Sequence, residues 1–286
     1  VEILSQGKIN IVEPGLQEAL TEAMATGRLH FTTTPEPADV FIIAVQTPYR
    51  ETPEKKRVSD MRFVESAARE VGSVIRPGGL CVLESTSPPY STRLVESIVA
   101  EVSGMDKSQF MTAHCPERII PGRMLLELRQ NDRIIGSNRP EAAEYAKSIY
   151  EKVVTKGTIR LTDDLTAEMC KLTENTFRDI NIAYANELSK VCDRLGIDVF
   201  QLIELANCHP RVNVHTPGVG VGGHCIAVDP WFIHEKFEDI TPLIAEARHV
   251  NDTKPEWVVE RIGRDVKPGA KVAVLGMSFK ANIDDT

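Results

Sequence analysis

Residues 38–45 read Ala-Asp-Val-Phe-Ile-Ile-Ala-Val and pass directly into Gln46-Thr47-Pro48. A short apolar run ended by a proline is the pattern of a strand covered on both faces, as the strands of a parallel sheet are. A helix is predicted next. Ser59-Asp60 supplies a cap, Phe63, Val64, Ala67, Ala68, Val71, Val74 and Ile75 share one stripe, and Pro77-Gly78-Gly79 stops it. Leu80-Cys81-Val82-Leu83 reads as a second buried strand, ending at Glu84-Ser85-Thr86. A helix from about Ser91 to Val102 leads to a third strand over Phe110-Met111-Thr112-Ala113, which ends at Cys115-Pro116-Glu117-Arg118. Strand and helix alternate, and polar residues stand at each strand's carboxyl end. The fold class is therefore α/β, a doubly wound parallel-sheet (Rossmann-like) domain over residues 1–154, with ligands expected at those strand ends.

The pattern then changes. From Leu165 to Leu195 there is neither proline nor glycine. Leu165, Met169, Leu172, Thr176, Ile180, Ala183, Tyr184, Val191 and Leu195 fall within roughly 140° of arc at about 100° per residue. That predicts a spine helix roughly 46 Å long, in an all-helical dimerisation domain over 155–255 that packs against a copy of itself. Lys171, Asn175, Asp179 and Asn186 form a polar line away from that stripe, which by spacing alone reads as a solvated face. Residues 256–286 read as a linker and the first strand, at 271–280, of a further domain. No glycine-rich strand–turn–helix precedes the first strand, so the opening βαβ unit and most of the last domain are expected to be missing.

Composition narrows the function. The 286 residues carry a net charge of −8, which argues against a nucleic-acid binder. No run of eighteen apolar residues is present, and Val1-Glu2-Ile3-Leu4-Ser5 does not resemble a secretory signal. The cysteines, at 81, 115, 170, 192, 208 and 225, include no CxxC pair, which suits reduced thiols in the cytoplasm. His114-Cys115, Cys208-His209 and His224-Cys225 are neighbours whose side chains point apart, so no metal site is expected.

Gly218 to Gly223 satisfies G-x-G-x-x-G literally. Pro217 interrupts any preceding strand, however, and the chain from Leu243 to Val250 is helix-like where a second strand would be needed. The segment is read instead as a flexible loop that brings backbone close to a ligand or to Cys225. Cys81, Cys170, Cys192 and Cys208 are read as small buried hydrophobes. Cys225 differs because glycines open the backbone beside it. Asp229 follows four residues later, on the same face if 225–229 form a helical turn, and a thiol at the amino end of such a turn is a candidate nucleophile.

At this point the motifs combine. Lys171-Leu172-Thr173-Glu174-Asn175-Thr176-Phe177-Arg178, Asn186-Glu187 and Gly222-Gly223-His224-Cys225-Ile226-Ala227-Val228-Asp229-Pro230-Trp231-Phe232 resemble the UDP-glucose/GDP-mannose dehydrogenase family. His209-Pro210-Arg211-Val212-Asn213, Cys115-Pro116-Glu117-Arg118 with Pro121-Gly122, and Gly276-Met277-Ser278-Phe279-Lys280 fit it too, in the right order along the whole chain.

The resemblance implies an NAD-dependent oxidoreductase of polysaccharide biosynthesis, a homodimer acting on a UDP-sugar. It would take the C6 hydroxymethyl to a carboxylate through a thiohemiacetal and a thioester on Cys225. It also implies catalytic roles for Lys171, Asn175, Asp229, Glu117 and Thr86, and cofactor contacts from Thr47, Pro48, Ser85, Thr86 and Glu117. Substrate contacts would come from Arg118, Lys171, Asn175, His209, Arg211, Asn213, Gly222 and Lys280. Relatives specific for UDP-glucose carry a lysine before the aspartate and a further acid upstream, where this chain has Val228 and Pro121. The expected substrate is accordingly UDP-N-acetyl-D-mannosamine, with UDP-N-acetylglucosamine or UDP-glucose as the alternative. A two-electron β-hydroxyacid dehydrogenase and a non-catalytic assembly protein are the readings outside the family.

Overall fold

The computed structural model describes residues 1–54 and 56–276. Its strands are β1 (Val40–Ile43), β2 (Tyr49–Glu51), β3 (Arg57–Ser59), β4 (Leu80–Leu83), β5 (Met111–His114), β6 (Arg133–Gly136) and β7 (Ile159–Thr162). Its helices are α1 (Glu2–Ser5), α2 (Leu16–Ala25), α3 (Arg62–Val74), α4 (Ser91–Ser103), α5 (Met124–Gln130), α6 (Pro140–Tyr150), α7 (Asp164–Leu195), α8 (Val199–Asn207), α9 (Asp229–His234), α10 (Pro242–Asp252) and α11 (Lys254–Asp265). The chain divides into two compact units, one holding Val1–Pro48 and Asp60–Lys171, the other Tyr49–Ser59 and the described residues from Leu172 onward. Among the described residues, no helix is long and apolar enough to cross a membrane.

The first unit is built on a five-stranded sheet in the order β1-β4-β5-β6-β7. β1, β4 and β5 are parallel neighbours, and they coincide to within a few residues with the apolar runs. β4 and β5 are covered on both faces, whereas β1, expected to be covered on both, leaves Ile42 49% exposed between the buried Phe41 and Ile43. On one face Val64, Ala68 and Val71 of α3 and Val95 and Val99 of α4 pack with Ile43, Cys81 and Leu83. On the other, Leu80, Val82, Ala113 and Ile135 meet Ala143, Ala146 and Tyr150. Each valine, leucine or isoleucine among them contributes roughly 1.5–3 kcal/mol when fully buried.

Three further expectations are corrected in this unit. The sheet is mixed, because β6 pairs antiparallel to β5 through His114 and Gly136 and β7 then runs parallel to β6. The chain returns from β5 to β6 by a loop and the short α5, without the helical crossover a parallel neighbour requires. β7 lies inside the stretch expected to be all-helical, and as a partly exposed four-residue edge strand it carries little apolar signal. Ser59 belongs to β3 rather than to a cap, although Asp60 Oδ1 does accept from the Arg62 N–H at 3.3 Å.

In the second unit, β2 and β3 form an antiparallel hairpin, and the other regular elements among the described residues are helices. Here the polar line of α7, expected to be a solvated face, is corrected. The polar line is buried: Asn175 is 4% exposed and Asp179 and Asn186 are 0%. Leu172 and Ala183 are buried, but Tyr184, Val191 and Leu195 are 52%, 50% and 65% exposed, beside Phe177 at 61%. The physical reason lies on α10. Arg248, itself fully buried, pairs with Asp179, while Asn251 donates to Asp179 Oδ1 at 2.8 Å and accepts from Asn186 at 2.8 Å. Periodicity separates the two faces of a helix but does not say which one is covered. Further along, α11 occupies the start of the expected linker, and residues 271–276 of the expected strand are neither strand nor helix. The remainder of that strand lies outside the described residues.

Burial pushes the His114 imidazole down from 6.5 to about 4. Above pH 6.5 the folded and unfolded chains are both neutral at this residue. As pH falls below 6.5 only the unfolded chain takes up the proton, so stability is lost at about 1.4 kcal/mol per pH unit until the folded state also protonates. Urea unfolding at pH 7 and pH 5 is expected to show a stability difference about 2 kcal/mol smaller in His114→Gln than in the parent. Identical differences would contradict the assignment.

Candidate functional site

In the second unit, Asn175 and Asp229 meet. The Asn175 Nδ2 donates to Asp229 Oδ2 at 2.6 Å, and both residues are buried. Asp229 opens α9, and its N–H donates to the Cys225 carbonyl at 2.9 Å, with that of Val228 at 3.0 Å. Residues 225–229 therefore form the single helical turn that the spacing predicts. Cys225 is exposed, whereas Val228, Asp229 and Pro230 are buried, so the thiol stands at the rim of a turn whose far end is fixed inside. A buried carboxylate with a short amide donor is an oriented acceptor, able to hold or release a proton at a set position. Lys171, half-buried, precedes Asn175 by one turn of α7.

The glycine segment leading to Cys225 has no strand–turn–helix geometry. It starts from a fixed point, because the Gly218 N–H donates to the buried Asn186 Oδ1 at 3.0 Å. Gly223 has φ +81°, a left-handed backbone that only glycine adopts at little cost.

In the first unit the strand ends are cross-braced. The Thr47 hydroxyl donates to the Thr86 carbonyl at 2.6 Å, and the Ser85 hydroxyl donates to the Val45 carbonyl at 2.7 Å. Thr47, Pro48 and Thr86 remain half-buried at the carboxyl ends of β1 and β4, where sheets of this class bind nucleotides. Glu117, beyond β5, accepts the Arg118 N–H at 2.6 Å and pairs with Arg133.

Arg133, Glu84 and Tyr150 were not singled out in the sequence. The one signal was an arginine opening the apolar Arg133-Ile134-Ile135 run. Arg133 is 3% exposed, lies 3.6 Å from Glu84, and stacks over the Tyr150 ring at 5.0 Å. The Tyr150 hydroxyl donates to Glu84 Oε1 at 2.6 Å. Burial raises the Glu84 carboxyl, with Tyr150 and Arg133 partly offsetting it. Burial also pushes the thiols of Cys115 and Cys81 up to about 11 and about 12, so neither is a nucleophile at neutral pH.

Arg118 Nη1 donates to the Asp132 carbonyl at 2.9 Å. His209, Arg211, Asn213 and Gly222 are exposed, and the Arg211 N–H donates to His209 Nδ1 at 3.3 Å. Lys280 lies outside the described residues. Of the cysteines read as buried, Cys208, which ends α8, is exposed and Cys170, on α7, is intermediate, so neither is the small buried hydrophobe expected. A cleft of about 400 Å³ in the second unit, lined by Lys56, Arg57, Trp231, His234, Glu238 and Asp252 among others, includes none of the expected site residues.

Asn175→Ala removes the donor to the buried Asp229 carboxylate and should cost about 1–3 kcal/mol. Urea unfolding at pH 7 checks this, and a change within experimental error would mean that the contact carries no weight.

Residues 1–154 match the UDP-glucose/GDP-mannose dehydrogenase family, NAD binding domain, and residues 165–253 match that family's central domain. The whole chain is 48% identical to an NDP-N-acetyl-D-galactosaminuronic acid dehydrogenase of Ralstonia nicotianae, spanning 69% of that protein. It is 47% identical to a UDP-N-acetyl-D-mannosamine dehydrogenase of Campylobacter jejuni, spanning 72% of it. A solved UDP-D-ManNAc dehydrogenase from Pyrococcus horikoshii superposes with a TM-score of 0.86 at 39% identity, over 92% of this chain and 62% of that one.

Proposed function

Because the chain belongs to the UDP-glucose/GDP-mannose dehydrogenase family, we propose that it serves in the NAD-dependent oxidation of a UDP-linked N-acetylhexosamine, UDP-N-acetyl-D-mannosamine in the first instance, to the C6 acid. The observation that carries this reading is the turn from Cys225 to Asp229, with Asn175 hydrogen-bonded to the aspartate. An exposed thiol one turn from an oriented, buried carboxylate is what covalent capture of an aldehyde requires.

The half-buried hydroxyls of Thr47 and Thr86 and the buried Ser85 suit a dinucleotide at the sheet's strand ends, with Pro48 and Glu117 alongside. NAD held there would supply the hydride acceptor for each of two oxidations. The remaining steps belong to the protein. Lys171 stabilises oxyanion character at C6, with Asn175 helping to fix the geometry. Cys225 adds through sulfur to the aldehyde carbon, its proton passing to the former carbonyl oxygen, and gives a thiohemiacetal. Loss of a second hydride and that proton leaves a thioester. Water then attacks the thioester carbon, sulfur leaves as the thiolate, and Asp229, with Glu117 and Thr86, moves the proton that restores the thiol. Arg211, His209, Asn213, Gly222, Arg118 and Lys280 serve the UDP-sugar, a guanidinium being well matched to a diphosphate. The cytoplasm is the setting, in keeping with cysteines that include no CxxC pair.

The full-length protein, offered UDP-N-acetylmannosamine, UDP-N-acetylglucosamine, UDP-N-acetylgalactosamine and UDP-glucose, is expected to turn over the first fastest, with two NADH formed per sugar acid. One NADH per sugar would remove the covalent four-electron route, and a preference for the galacto sugar would move the substrate towards that in the name of the Ralstonia relative. Cys225→Ser is expected to bind the sugar nucleotide but form acid at least about a thousandfold more slowly.

We further read the exposed row Phe177, Tyr184, Val191 and Leu195 of α7 as the face on which a second copy packs, since contiguous exposed apolar surface of this kind marks interaction sites. Light scattering is expected to give twice the monomer mass for the parent and the monomer mass for Tyr184→Glu/Val191→Glu. A monomeric parent would sink this arrangement.

A further inference from the structure

Among the described residues, Tyr90 is the non-glycine residue with a left-handed backbone, at φ 77°. An L residue holds that conformation only where its surroundings impose it, and such positions gather at functional loops. Tyr90 is the residue from which α4 starts, and no side chain of its own caps that helix. The cap comes from α7. Glu168, 1% exposed, accepts the Tyr90 N–H on Oε2 at 2.7 Å, and on Oε1 it accepts the N–H and hydroxyl of Thr92 at 2.7 and 2.6 Å. One turn earlier on α7, Asp164 receives Arg93 of α4 at 2.8 and 3.1 Å. Burial raises the Glu168 carboxyl, against which the hydrogen bonds from Thr92 and Tyr90 work. None of the chemistry proposed above uses this carboxylate.

Its position joins two residues of that chemistry. Towards the amino end, Tyr90 is linked to Thr86 by Ser87-Pro88-Pro89, all buried. The prolines fix φ, the Ser87 hydroxyl donates to the Ser85 carbonyl at 2.9 Å, and the Ser91 hydroxyl donates to the Pro88 carbonyl at 2.6 Å. The link is stiff, so a shift at Tyr90 is passed on to Thr86. In the other direction, Glu168 lies three residues before Lys171 on the same helix. We propose that Glu168 is a positioning residue: by holding the strained Tyr90 turn, its carboxylate fixes the Thr86 strand end relative to the turn of α7 that bears Lys171. This rests on the roles given above to Thr86 and Lys171.

The test uses the full-length protein and the rate of NADH formation from the preferred UDP-sugar. Glu168→Gln keeps the volume and the acceptor for Thr92 but turns an NH2 towards the Tyr90 N–H. It is expected to lower kcat by about tenfold to a hundredfold with KM for the UDP-sugar within about threefold, the mark of misplaced groups rather than lost binding. Glu168→Gln/Tyr90→Gly is expected to recover most of that kcat, since glycine takes the left-handed conformation without being held in it. Glu168→Asp, with the charge on a shorter arm, is expected to lose kcat in the same way and serves if the amide variant does not fold. Parent-like kcat in the folded Glu168 variants, whatever their Tm, overturns the proposal, as does a double variant no faster than the single one. Lys171→Met run alongside separates the two levels. If its rate is unchanged, the lysine's role and the positioning both fall; if its rate collapses while Glu168→Gln is unaffected, only the positioning falls.

Discussion

Arg248 and Asp179 are both fully shielded from water and paired with each other, and α7 can turn its polar side inward only because that pair is made. Either charge buried alone would cost several kcal/mol. The pair is one link in a chain of contacts. It runs from the Gly218 N–H through Asn186, Asn251, Asp179, Arg248 and Asp252 to Arg57 in the β2–β3 hairpin. Arg57 in turn lies over the rings of Tyr49 and Trp231. Both ends of the segment from Gly218 to Trp231, which contains Cys225 and Asp229, are therefore tied to this chain. The side of α7 that carries Asp179 and Asn186 and the segment that bears the thiol share one support, and that support is polar.

How much of the fold the sequence discloses depends on how each signal arises. β1 and β4 are apolar throughout and can be read directly, although the run does not disclose that Ile42 of β1 is left 49% exposed. α7 is legible over its full length because nothing breaks it between Leu165 and Leu195. The antiparallel β6 is not legible, since direction is set by the path of the loop and not by strand composition. The orientation of α7 is hidden for a similar reason. Burial of Asn175, Asp179 and Asn186 depends on partners about seventy residues away in α10 or some fifty away at Asp229.

The candidate site divides along the same line. The turn from Cys225 to Asp229 is local, and its spacing declares it. The hydrogen bond from Asn175 spans 54 residues of sequence, and only a motif resemblance pointed at both partners. Arg133 and Glu168 carried no motif at all. Each is a charged residue in an otherwise apolar or helical stretch, and its meaning depends on what it meets: Glu84 and Glu117 in one case, the amino end of α4 in the other.

The hairpin at 49–59 leaves the first unit after Pro48 and returns to it at Asp60, while its partners, Glu235, Glu238 and Asp252, lie more than 170 residues further along the chain. The second unit is thus not one continuous piece of polypeptide. A gene segment spanning only α7 to α11 would encode a body lacking one of its own walls, and a segment ending before α7 would carry that wall away with nothing to lean on. Recombination between relatives at a single junction cannot exchange these units cleanly, so the two halves are bound to evolve as one inheritance.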